Sequence, residues 1–181
     1  MKKYIVGFLT VFAFASQVFS QSASLPVLNQ QFSLSVQTYN QTKNPDTLQA
    51  LLTATKARQT VFLNTLKTNP AMALNNVIAP ALRQSLPAVI QAEIEEAVTL
   101  TGSLETVWIE KTDSLIAKRY LRTIDRGPLE LFVSDNSFRF DSGQTTVSGF
   151  LSGNLLLLNE ASNKSLAAQI KAAPWTPLRG T

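Results

Sequence analysis

The hydrophobic pattern changes character several times along the chain. Tyr4–Ala15 is one continuous apolar run behind Lys2-Lys3. Residues 21–44 are polar, rich in Gln, Ser, Thr and Asn, and read as a mobile segment. Within it Phe32, Leu34 and Val36 alternate with the period of a strand, which allows a short ordered piece over 32–39. From residue 46 the spacing turns helical. Leu48, Leu51, Leu52, Thr55, Phe62 and Leu66 form one stripe, with Lys56, Arg58, Asn64 and Lys67 set off it. Asn44-Pro45-Asp46 offers an N-cap, a proline at the first helical position and an acid near the positive dipole end. Asn69-Pro70 ends the helix, because proline disfavours helical geometry in the residue before it.

Prolines 70, 80 and 87 then predict three short helices, at 70–78, 80–85 and 87–96. At Ala97 the period changes to that of strands. Residues 98–110 are β-branched and aromatic, with Gly102 marking a bend in one long strand. Residues 111–117 read as a connection and 118–124 as a strand; a turn at Asp125–Pro128 leads back into 129–133. Phe138–Phe140 is a short piece, and 145–150 pairs with 155–158 across Ser152-Gly153-Asn154.

These elements predict an α+β chain: one long and several short helices, then five antiparallel strands closing as a small OB-like β-barrel. A simple antiparallel sheet is the alternative. The divisions are 1–20 signal peptide, 21–44 polar segment, 45–96 helical segment, 97–159 barrel and 160–181 linker-like tail. Within that tail 166–172 can form a short helix, and Pro174, Pro177 and Gly180 suggest a domain boundary.

Lys2-Lys3, the apolar run and the compact residues Val18 and Ser20 have the layout of a bacterial secretory leader cleaved after Ser20. The run is short of the roughly 20 residues a membrane span needs. The expected location is therefore secreted or periplasmic, with no stable membrane anchor after cleavage. The formal charge of +4 includes the leader's two lysines; without them 14 basic residues face 12 acidic ones. That balance gives no nucleic-acid footprint, and a solvated strand face accounts for the densest basic stretch, Lys118-Arg119 with Arg122 and Arg126.

The chain has no His and no Cys. This removes Ser-His-Asp and Cys-His catalysis, histidine zinc sites, disulfides and thiolate clusters. No cofactor and no catalytic motif is expected. Glu93, Glu95 and Glu96 cluster at a predicted helix end, with Glu93 and Glu96 on one face, but a solvated helix face accounts for them. Asp135, Asn136 and Asp141 do not fit a calcium loop and read as turn chemistry. Asp113 with Lys118, and Asp125 with Arg126, are candidate surface ion pairs. Trp108, Tyr120 and Trp175 are the candidate partner or ligand contacts; Phe132 and Phe138 are further aromatic candidates on the barrel. Core packing competes with binding for every strand aromatic, and Trp175 in Ala173–Pro177 must pack on the barrel or on a following domain.

The run KARQTVFLNTLKTNPAMAL, then LRQSLPAVIQAEIEEAVTLTGSLETV, RYLRTIDRGPLELFV and VSGFLSGNLLLL carries a resemblance over about residues 46–158. It resembles the amino-terminal region of secreted bacterial multidomain proteins, some with a gametolysin-like metallopeptidase domain further on. The resemblance implies a helical segment ahead of a small β domain, and a protein partner or downstream module. The family's zinc motif has no counterpart in a chain without His, so no catalytic residue carries over. The expected role is an exported non-catalytic accessory or leader-type domain. The alternatives are a ligand-binding module using the barrel face, and a His-free carboxylate enzyme built on Glu93/Glu96 or Asp135/Asp141.

Overall fold

The computed structural model describes residues 23–135 and 143–163. The leader, Phe138, Asp141, the Phe138–Phe140 piece, the 166–172 helix and Trp175 lie outside them. The element order is α1 (Leu25–Thr42), α2 (Pro45–Thr68), α3 (Pro70–Leu74), α4 (Pro80–Gln84) and α5 (Ala88–Gln91), followed by five strands. The strands are β1 (Glu96–Lys111), β2 (Ser114–Thr123), β3 (Gly127–Phe132), β4 (Gly143–Ser152) and β5 (Leu155–Leu158). A single 3-10 turn, Glu160–Asn163, closes the described chain.

Helix α1 corrects the mobile reading of 21–44. Its buried residues are Leu25, Leu28, Phe32 and Val36, a three-four-four spacing hidden among polar residues. The strand-like alternation misleads because Leu34 is 56% exposed and belongs to the opposite face. Lys43 ends the helix in the left-handed region, its N–H donating to the Tyr39 carbonyl. Helix α2 begins as its signals predict, with the Asn44 side chain accepting from the Thr47 N–H at 2.8 Å. The third short helix is only Ala88–Gln91, so Glu93–Glu96 lie past it.

The sheet is mixed. β1–β2, β2–β3, β4–β5 and β1–β4 are antiparallel, but β3 and β5 run parallel, against the all-antiparallel expectation. β5 follows β4 by a tight hairpin and is then forced alongside β3 in the same direction. The order β1-β2-β3-β5-β4, with β4 back on β1, closes the sheet on itself. Closure depends on β1 serving two partners: residues 96–104 pair with β4 and 103–111 with β2. Gly102 sits at the change of partner. A Cβ there would intrude on the backbone carbonyl of Arg122, so only glycine lets the strands approach this closely.

The described residues pack into three cores. Leu104, Leu121, Leu129, Val147, Leu156 and Leu158 are among those inside the barrel. Phe32, Val36, Leu51, Ile78, Leu86 and Ile90 join the helices. The third unites both parts: Leu25, Phe62, Leu66 and Ala73 pack with Leu155 and Leu157 of β5. β5 therefore buries both faces, which its unbroken leucine run requires. The reading of 160 onward as a linker begins too early. Asn163 is buried, its amide donating to the Ser148 carbonyl and accepting from the Ser148 N–H, which ties the 3-10 turn to β4.

Candidate functional site

The chemistry-bearing residues fall into a buried node and an exposed barrel flank. The node is Arg58–Glu95, both side chains 0% exposed. Arg58 lies on the inward stripe of α2 between Thr55 and Phe62. Its Nη1 and Nη2 donate to Glu95 Oε2 and Oε1 at 2.8 and 2.7 Å. Nε donates to Asn29 on α1 and Nη2 also to the Asn76 carbonyl. Glu95 Oε1 additionally accepts the Ile78 N–H. The Phe62 ring lies 5.1 Å from the guanidinium carbon. Every group is turned toward protein, so the node holds α1, α2 and the start of β1 together and has no face for a substrate.

The other carboxylates do not converge. Glu93 pairs with Lys56 at 3.6 Å, while Glu96 is the exposed first residue of β1. They share no helix face, because α5 has already ended. Among the described residues no group of three or more acids could hold a metal ion. The proposed ion pairs are also redrawn: Lys118 pairs with Glu130 and Arg122 with Glu105, each at 2.8 Å. Strand pairing decides this, since Tyr120 lies opposite both Glu105 and Glu130, bringing the neighbouring bases within reach. Hydrogen bonds and charge from these glutamates hold both bases above their ordinary pKa. A raised base stays protonated through acid and neutral solution and releases its proton only in strongly alkaline solution.

The exposed flank centres on β1 and β2. Their pairing runs on to Lys111–Ser114, where Thr112 and Asp113 form a two-residue turn with φ of 22° and 67°. The stretch 111–117, expected as a connection, is thus mostly strand. β4 reaches only to Leu104 and β3 only to Tyr120, so among the described residues the distal part is a two-stranded ribbon. On it Val107, Ile109 and Ile116 are 41%, 39% and 41% exposed, and Leu115 is 60% exposed. Alternation puts Val107, Ile109 and Ile116 on one face with half-buried Tyr120. Half-buried Trp108 shares the other face with Leu115, and it stands outside the barrel's core cluster. Phe132 is no platform for a ligand, because it packs under the helices against the shared core. Asp135 is exposed beyond β3, where Glu160 accepts the N–H groups of Ser134 and Asp135.

At the other end of this flank is a cleft of about 390 Å³, opened where β1 changes partner. Thr101, Ser103, Arg122, Ile124 and Arg126 line it, and Ile124 is fully exposed. Nothing in the residue spacing pointed to it, because it arises from strand pairing. The helices cover the opposite flank, where Gln59 of α2 donates to the Ser152 hydroxyl at the β4–β5 turn. No family model matches the chain, and neither a curated protein nor a solved structure matches it.

Proposed function

We propose that this chain is an exported, non-catalytic accessory domain that docks a protein through the β1–β2 ribbon, on a helix-capped barrel of OB type. The observation that carries the reading is the ribbon, where Val107, Ile109 and Ile116, 39–41% exposed, share one face and Leu115, 60% exposed, lies on the other. Exposed apolar residues scattered singly need no explanation, but a contiguous group marks an interaction site. Catalysis is disfavoured by the chemistry present: among the described residues the buried Arg58–Glu95 pair is saturated by its own hydrogen bonds, and the remaining acids are dispersed. A photo-crosslinking amino acid at position 109 or 115, in cells producing the full chain, should give a discrete protein adduct. Absence of any adduct overturns the docking reading, and hydrolysis of peptide, ester or glycoside reporters by the purified chain overturns the non-catalytic one.

The second reading is a small-ligand site in the cleft beside Gly102. OB-type barrels bind along the β2–β3 face and the loops at its ends. Here the β4–β5 turn is taken up by α2, while the hydroxyl- and arginine-lined cleft is open to a polar ligand such as a saccharide. Glycan-array binding lost in Arg126→Ala but retained in Trp108→Ala would favour the cleft; loss in Trp108→Ala alone would favour the ribbon.

A further inference from the structure

We infer that the cleft beside Gly102 takes a saccharide carrying a single oxyanion on its ring, a uronate carboxylate or a sulfate ester; this rests on the small-ligand reading above. Strand register builds the hydrogen-bonding wall. Ser103 of β1 lies opposite Gln144 of β4 on one side and Arg122 of β2 on the other. Leu104, Leu121 and Val147 fill the barrel, so alternation puts Ser103, Arg122 and Gln144 on its outer face, where each is exposed. Neighbouring strands are about 5 Å apart, so the row is about 10 Å long. Its donors are open. Arg122 gives its Nε to Glu105 at 2.8 Å, which anchors the guanidinium and leaves Nη1 and Nη2 without a partner among the described residues. The Ser103 hydroxyl and the Gln144 amide also have none there. Arg126 completes the set from the β2–β3 turn. Thr123 Oγ1 accepts the Arg126 N–H at 3.1 Å and donates to the Gly127 carbonyl at 3.3 Å, which fixes the turn. The Arg126 guanidinium itself makes no hydrogen bond or ion pair with a described residue.

The chemistry of this wall narrows the ligand. Hydroxyl and amide groups both donate and accept, which matches the adjacent hydroxyls of a sugar. The open guanidinium edges pair with an oxyanion through two parallel hydrogen bonds. Charge limits how many oxyanions are wanted. Asp125 in the cleft and Glu105 beside it balance the two arginines, so recognition works by contact and not by a strong field. A dianionic phosphate or a densely charged polymer gains little there, whereas one monoanionic group meets the free fork of Arg126 directly. The cleft volume of about 390 Å³ falls within the roughly 300–1,000 Å³ of small-molecule sites. Tyr120, two residues before Arg122 on the same face of β2, adds an apolar ring with a hydroxyl tip beside the cleft, suited to the mixed surface of an adjoining sugar.

The test uses the full chain, expressed in a bacterial host and applied to oligosaccharides that bear uronates, sulfate esters or neither on matched backbones. Acidic glycans should bind at least about tenfold more tightly than their neutral counterparts. The two acidic arms tell carboxylate from sulfate. Methyl esterification of a bound uronate should abolish its advantage. Arg126→Ala should abolish the acidic preference, and Arg126→Lys, which keeps the charge without the fork, should fall between. The Arg126 side chain holds no described residue in place, so both variants should melt as the unaltered chain does. Should either fail to fold, the matched-backbone comparison decides. Equal binding of acidic and neutral glycans, or an acidic preference that survives Arg126→Ala, overturns the inference. Neutral glycans bound equally well but lost in Arg126→Ala would still leave the small-ligand reading standing. Retention of no glycan overturns both.

Discussion

Arg58 sits on α2 where the stripe of Leu51, Thr55 and Phe62 demands an inward residue. The sequence reading sets Arg58 off the apolar stripe, yet it lies three residues from Thr55 and four from Phe62 and is buried with them. Its partner was not legible: Glu95 is 37 residues away, and one acid among Glu93, Glu95 and Glu96 could be chosen only by tertiary packing. Removing one member leaves an uncompensated buried charge. Glu95→Ala should therefore cost about 3–5 kcal/mol in urea unfolding. Arg58→Met combined with Glu95→Leu should cost clearly less than the two single changes summed. It should still not be neutral, because the Ile78 N–H loses its acceptor at about 1–3 kcal/mol and the Asn29 side-chain oxygen loses the Arg58 donor. Fully additive losses would show that the pair does not act as a unit.

Elements announced themselves where a local rule was strong. Asn44-Pro45 marked the start of α2, and Asn44→Ala should cost about 0.5–2 kcal/mol by loss of the Thr47 cap. Gly102 flagged a bend in β1, and the structure gives that glycine a definite task at the junction of two pairings. Gly102→Ala should destabilise the barrel by about 1–3 kcal/mol through overpacking against Arg122, with the β1–β2 amides losing hydrogen-exchange protection first. Helix α1 was missed because four buried residues in eighteen are outvoted by polar ones. The ribbon was missed for the converse reason: its apolar residues are exposed, so 111–117 shows no inside–outside alternation to read. The candidate contact surface was visible as two residues, Trp108 and Tyr120, while its apolar neighbours acquire meaning only from the register.

On the scale of the whole molecule, the expected division at residue 97 is crossed by a core to which α1, α2 and β5 all contribute. Helices and barrel should therefore unfold together. Leu157→Ala is expected to cost about 2–5 kcal/mol and to lower protection equally in Phe62–Leu66 and in β4; loss confined to the strands would show two independent units. Helical stretches and strand turns were readable locally, whereas the parallel β3–β5 pair and the shared core depend on contacts far apart in the chain. The same remoteness governs when the molecule can form. Leu25, near the beginning, waits for Leu157, near the other end, and β1 cannot complete its pairing until β4 exists. Such long-range closure is slow, so a ribosome delivering the chain amino end first releases helices that can pack on one another but whose β5-facing side stays bare until Leu155 and Leu157 emerge.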